Sequence, residues 1–367
     1  MGPPPRGSLA FQAPLVFYSA HFPMDDFAHS PILVVMNITF LGSGAWATAL
    51  AYDLSKNGHD ILLYGIDPNE VSNIENDHCN KKYFPDILLP ENIHATGDIV
   101  FALSKPEVIV LAVPSHAINS IVELLEKHCK GNPYIVNVIK GFDPRTGEGI
   151  TSMIQKSFQG KFSPKGLVSL VGPSFAYDVI HDDLTAVCAV SQNEEDAKFI
   201  QKLFSTSAFR VYVQNDVIGA EIGAGMKNIV AIASGIMEGL GYKDNTRAAL
   251  ITRGLAEITR FGVASGAHAE TFLGLTGVGD LCLTASSHRS RNYEFGIAIG
   301  EKDSAEGALE NMTKTVEGVL AAKTIHLHAQ RLGIKTPIVD AVYAVLYEGA
   351  KPSLMAKALM ERELKSE

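Results

Sequence analysis

Cationic charge is scarce in this 367-residue chain: 31 Lys and Arg stand against 40 Asp and Glu, a formal net charge of −9. That deficit excludes a nucleic acid held across a broad basic face. It leaves room for a small anionic ligand, which needs only a few local cations. Cysteine is sparse as well. Cys79, Cys129, Cys188 and Cys282 lie far apart and form no metal-type pairs. No metal is expected, and such thiols suit a reducing compartment, the cytoplasm. No continuous run of 18 apolar residues is seen, so no membrane-spanning segment is expected. The chain is 46% hydrophobic and 19% charged, which at this length allows two domains and a sizeable core.

Residues 1–35 are proline-rich and without period. Arg6 is the only cation before a broken apolar stretch, and Asp25 and Asp26 break the segment again nearer its end. The segment fits neither a signal peptide nor a transit peptide. It reads as a disordered leader or an upstream-start artefact, with the first domain opening at Met36.

From there apolar runs alternate with helical stretches. ILVVMNITFLG (32–42), DILLYGID (60–67), EVIVLAVP (107–114) and YIVNVIKG (134–141) predict buried strands; ATALAYDLSKNG (47–58) predicts a helix. LVSLVGPSFAYDV (167–179) and LTAVCAV (184–190) read as further strands, with a turn at Gly172-Pro173-Ser174. Buried strands separated by helices imply a parallel sheet, and ligands of such sheets bind beyond the strand carboxyl ends. Gly42-Ser43-Gly44-Ala45-Trp46-Ala47 closes the first strand and opens a helix. That is the context in which a glycine motif binds a dinucleotide: Gly42 for the turn, Gly44 for close approach to a pyrophosphate. Asp67 stands 25 positions after Gly42, where an acidic residue commonly meets the ribose hydroxyls. No Arg or Lys lies between Gly65 and Asn80.

From about Asp216 the pattern turns helical, giving domains of 36–215 and 216–367. In EIGAGMKNIVAIASGI (221–236) nearly everything after Glu221 is small or apolar, and Lys227 and Asn228 break that pattern. A helix apolar all round is normally buried, and a buried ammonium is costly unless paired or neutral. Lys227 therefore marks either a functional group or a stem snorkelling to the surface. NTRAALITRGLAEITRFGVASG (245–266) predicts a long helix on which Arg253 and Glu257 form a solvated i,i+4 pair. In TGVGDLCLTASSHRSRN (276–292), Asp280 enters an apolar step. Ser290, Arg291 and Asn292 then form either an anion cradle or a charged surface loop.

Several motifs now stand in order: Gly42-Ser43-Gly44-Ala45-Trp46, Val113-Pro114-Ser115-His116, Lys140-Gly141, Gly172-Pro173-Ser174-Phe175-Ala176, Met226-Lys227-Asn228, Gly277-Val278-Gly279-Asp280, Ser290-Arg291-Asn292 and Val316-Glu317-Gly318. Together, over roughly residues 36–360, they resemble the NAD(P)-dependent sn-glycerol-3-phosphate dehydrogenase family in its soluble bacterial form. The resemblance implies an α/β fold: an N-terminal Rossmann-type doubly wound sheet, then an all-helical C-terminal domain. It implies NAD(P)H-dependent reduction of dihydroxyacetone phosphate, feeding phospholipid synthesis, by a cytoplasmic homodimer. Its proton-carrying lysine falls on Lys227, with Lys140 and Asp280 beside it. Its substrate contacts fall on Lys140, Gly172, Ser174, Lys227, Asp280, Ser290, Arg291 and Asn292. Its cofactor contacts fall on Gly42, Ser43, Gly44, Ala45, Trp46, Tyr83, Lys140, Ala176, Arg291, Thr315 and Glu317. Asp67 argues for NADH or dual use. Tyr177-Asp178 departs from a more usual Lys-Glu pair and reads as peripheral. Two rivals share the fingerprint: a 3-hydroxyacid or ketopantoate-type reductase, and a non-catalytic dinucleotide sensor. The first does not require Ser290-Arg291-Asn292, and the second does not require Lys227.

Overall fold

The computed structural model describes residues 35–143, 147–308 and 316–363. The leader therefore lies outside the described residues, apart from an exposed Val35. In the first half, strands and helices alternate: β1 Asn37–Leu41, α1 Ala45–Ser55, β2 Asp60–Tyr64, α2 Pro68–Asp77, β3 Ile93–Thr96, α3 Ile99–Ala102, β4 Val108–Leu111, α4 Ile118–His128, β5 Tyr134–Asn137, α5 Ile150–Phe158, β6 Gly166–Val171, α6 Ala176–Ile180, β7 Thr185–Val190, α7 Glu194–Phe204 and β8 Phe209–Gln214. They form one eight-stranded sheet in the order β3-β2-β1-β4-β5-β6-β7-β8. Every pairing is parallel except β6 with β7. The order reverses between β1 and β4, so a crevice opens beyond their carboxyl ends. Both strands are buried along almost their whole length, as layers on both faces require.

Residues 176–180 are helical, because Phe175 ends the turn and Ala176 starts α6; a short apolar run does not separate strand from helix. β3 and β8 were not anticipated. β3 has only four residues, with His94 and Thr96 facing outward. The first strand begins at Asn37, with Val35 and Met36 outside it; residues 32–34, also expected in it, lie outside the described residues.

The second half is helical: α8 Val217–Gly239, α9 Asp244–Ala264, α10 Asp280–Ala285, α11 Arg291–Lys302, α12 Glu317–Leu332, α13 Pro337–Tyr347 and α14 Pro352–Met360. α8 is its axis. By length and composition alone it could cross a bilayer, yet 89% of its apolar stretch is buried inside the protein. It is a core helix. α11 packs on it through paired glycines. A Cβ on Gly235 would collide with the Tyr293 carbonyl, and one on Gly296 with the Ile232 carbonyl; Gly239 and Gly300 repeat this one turn on. Glu257 is not solvated. It is buried and accepts the Ile338 and Val339 N–H groups, both at 2.9 Å, which open α13. Free N–H groups at a helix start need such a partner.

Candidate active site

β1 runs in register with β2, and Gly42 closes the pair by donating its N–H to the Tyr64 carbonyl at 2.9 Å. Gly42 has φ +123°, and a Cβ there would strike the Ala112 carbonyl. Gly44 caps α1 without a side chain, and nothing lies within 4 Å of the place where its Cβ would be. The first turn of α1 thus presents bare N–H groups to open space, the arrangement that receives a pyrophosphate. The Trp46 Nε1 is buried without a hydrogen-bond partner. These features fit a dinucleotide.

Two residues unmarked in the sequence brace the fingerprint. Asn80 donates to the Ser43 carbonyl at 2.9 Å and to Thr48 Oγ1 at 2.8 Å. Buried Glu70 accepts the Ser43 hydroxyl at 2.6 Å. Both lie far from Ser43 in sequence, so no local spacing marks them. Asp67 caps α2 by accepting the Asn69 N–H at 3.0 Å. The turn after β2 does meet a cation: Lys82 stands 3.2 Å from Glu70 and 3.8 Å from Asp67. Lys81 points to Asp77 at 2.7 Å. Tyr83 is partly exposed beside Lys82, whose ammonium lies 5.3 Å from the ring centre.

At the centre of the cleft Lys227 is buried and donates to Asp280 Oδ1 at 2.5 Å. It does not snorkel. Asp280 opens α10 directly after a π-helical turn, Leu275–Gly279. Such turns mark functional positions. The other carboxylate oxygen of Asp280 is buried without a hydrogen bond, and Lys140, beyond the end of β5, stands 3.7 Å from it. One carboxylate therefore lies between two ammonium groups, one from each half of the chain. Burial pushes the Lys227 pKa down and the nearby Lys140 adds to this; Asp280 opposes them, and the balance is about 8. The cost of burying a charge is the dominant influence.

Across the cleft, Ser174 turns back on the Gly172 carbonyl at 3.2 Å, and Pro173 faces Gly279. Ala176 begins α6. Ser290 caps α11 through the Tyr293 N–H at 3.3 Å, and Arg291 is its exposed first residue. Asn292 is engaged elsewhere: it donates to Asn228 Oδ1 at 3.1 Å and accepts the Gly318 N–H at 2.9 Å. Asn228 also reaches Glu317, the first residue of α12, at 3.4 Å. This amide network fixes the starts of α11 and α12 on α8. Thr315 lies outside the described residues.

Residues 37–197 match the family model described as NAD-dependent glycerol-3-phosphate dehydrogenase N-terminus, and residues 216–357 match that of its C-terminus. The chain is 41% identical over 330 residues to a glycerol-3-phosphate dehydrogenase of Enterococcus faecalis named for NAD(P)+, covering 90% of this chain and 97% of that one. The crystal structure of glycerol-3-phosphate dehydrogenase from Coxiella burnetii superposes with a TM-score of 0.82 at 32% identity, covering 89% of this chain and 99% of that one. A ketopantoate reductase from Ralstonia eutropha shares the fold alone, with a TM-score of 0.54 at 14% identity over 89% of this chain and all (100%) of that one.

Proposed function

The chain belongs to the NAD-dependent glycerol-3-phosphate dehydrogenase family, and on that premise we propose a role for each residue of its cleft. The reaction is the NAD(P)H-dependent, reversible reduction of dihydroxyacetone phosphate to sn-glycerol 3-phosphate, which supplies the glycerol backbone of phospholipids. The nicotinamide cofactor, when bound, supplies the hydride in reduction and takes it up in oxidation. Gly42, Ser43, Gly44, Ala45 and Trp46 would hold its pyrophosphate, and Asp67 and Tyr83 would receive its adenosine end. Ala176, Arg291 and Glu317 would complete its surroundings; Thr315, which the resemblance also assigns to the cofactor, lies outside the described residues.

Lys227 moves the proton. As ammonium it protonates the carbonyl oxygen during reduction; as amine it takes the hydroxyl proton during oxidation. A pKa near 8 keeps both forms within reach of neutral pH. Asp280 holds the Lys227 ammonium by its 2.5 Å bond. Lys140 adds positive charge beside the developing oxyanion. Arg291 binds the phosphate dianion at the start of α11, where guanidinium geometry and helix N–H groups act together. Gly172 and Ser174 close the opposite wall. The observation that carries this reading is the buried Lys227–Asp280 pair with the half-buried Lys140 beside it, an array that a dinucleotide sensor has no use for.

We place the domain boundary at residues 215 and 216, between β8 and α8. The enzyme works in the cytoplasm, in keeping with four free cysteines, as a homodimer. The cofactor preference is NADH-leaning or dual, because Lys82 is already shared by two carboxylates and offers a 2′-phosphate little unspent charge. The test follows NADH and NADPH absorbance with dihydroxyacetone phosphate and, separately, with ketopantoate. Turnover of the phosphorylated ketone with NADH is expected. Turnover confined to ketopantoate, or binding without turnover, would sink the reading. A preference for NADPH above about tenfold, abolished in Lys82→Ala, would overturn the cofactor assignment.

A further inference from the structure

Arg289 precedes Ser290 and Arg291, yet its guanidinium leaves the helical half of the chain. It pairs with the Asp178 carboxylate on α6 and lies over the Tyr177 ring, 4.7 Å from its centre. Tyr177 is braced in turn by His181: the two rings are 4.2 Å apart, and His181 Nδ1 is 2.6 Å from the Tyr177 carbonyl. The same loop is fastened on its other side to the helical half. His288 Nδ1 lies 2.5 Å from Glu294 Oε1, and its Nε2 lies 3.5 Å from Glu238 at the end of α8. Glu238 also meets Arg247 at 3.0 Å and the hydroxyl of buried Tyr293. Residues 286–290, which lead into Arg291, are thus tied to both banks of the cleft. The dipeptide Tyr177-Asp178 is not peripheral. A lysine at position 177 would repel Arg289; the tyrosine offers it a π face, and Asp178 a carboxylate.

We propose that Arg289 is a positioning residue: by bridging to Asp178 and Tyr177 it draws the loop before α11 and α6 together over the substrate, so that Arg291 is presented to the phosphate. The proposal rests on the reading of Arg291 as the phosphate ligand. An exposed ion pair contributes little by itself. A guanidinium that is paired and stacked at once is more selective, and lysine does not reproduce it. Because the bridge joins the two banks, its effect falls on substrate affinity rather than on the cores.

The test is steady-state kinetics on the full chain for Arg289→Met, Asp178→Asn and the exchange Arg289→Asp with Asp178→Arg. Each single change is expected to raise KM for dihydroxyacetone phosphate roughly three- to tenfold while KM for NADH stays within about twofold. Melting temperatures should match the wild type, and the double exchange should recover part of the substrate affinity. Unchanged KM for the phosphorylated substrate in both single variants, or an equal rise for both substrates, would overturn the bridge. Arg291→Ala, run alongside, separates the two layers. A raised substrate KM there, with none in the Arg289 variants, sinks the bridge alone; no change there sinks the phosphate reading beneath it.

Discussion

Lys227 combines two properties that oppose each other in most proteins. It is buried, which disfavours its charge, and it touches a carboxylate, which favours it. The opposition leaves its pKa at about 8, which suits the proton transfer proposed for it. Arg291 is its opposite: it stands exposed at the start of α11. Arg291→Ala should raise KM for dihydroxyacetone phosphate by the equivalent of about 1.5–3 kcal/mol, the worth of a hydrogen bond to a charged group. Initial rates against substrate concentration check this; an unchanged KM places the phosphate elsewhere. Both residues were legible in the sequence, Lys227 as a cation in an apolar helix and Arg291 as part of a polar cluster. Asn292 was legible only in part, since its amide is engaged with Asn228 and Gly318. Glu70 and Asn80 were not legible at all, because each acts on Ser43 across a fold that no local pattern encodes.

Among the elements, the pairing of α8 with α11 sets the site, because α8 carries Lys227 and α11 carries Arg291. Gly235 and Gly296 let the two backbones meet. Gly296→Ala should cost about 1–3 kcal/mol of stability, the usual penalty of overpacking. Chemical denaturation measures it, and wild-type stability in that variant would show that the helices can part freely. Glu257 links α9 to α13 in a second way. Burial raises its pKa to about 7, against the two N–H bonds that favour the carboxylate. The folded state therefore holds this proton more tightly than the unfolded chain does. Stability from Glu257 is full below about pH 4.5 and is lost as pH rises through about 7. Between those values the wild type should lose stability relative to Glu257→Gln, by a few kcal/mol at most. Melting curves of both proteins at paired pH values test the sign; a difference independent of pH contradicts it. Helix α8 was readable by its composition and β1 by its glycine end. α6 was misread because five residues carry too little periodicity, and β3 was missed because its four residues are half exposed.

On the scale of the whole molecule, the array proposed to be catalytic exists only where the two halves meet. Lys140 comes from the end of the sheet, and Lys227 and Asp280 come from the helical core. Each half alone has its own hydrophobic core, but neither has the array. The most direct test of this account is kcat/KM against pH in both directions, for wild type and Lys227→Met. With a free-enzyme pKa of about 8, the reduction of dihydroxyacetone phosphate should fall as pH rises through that value, because the ammonium is lost. The oxidation of sn-glycerol 3-phosphate should rise through the same value, because the amine appears. Lys227→Met should lower kcat by roughly 10²–10⁴-fold and abolish both limbs. Near-normal turnover in Lys227→Met, or wild-type profiles that are flat across that range, would contradict the account.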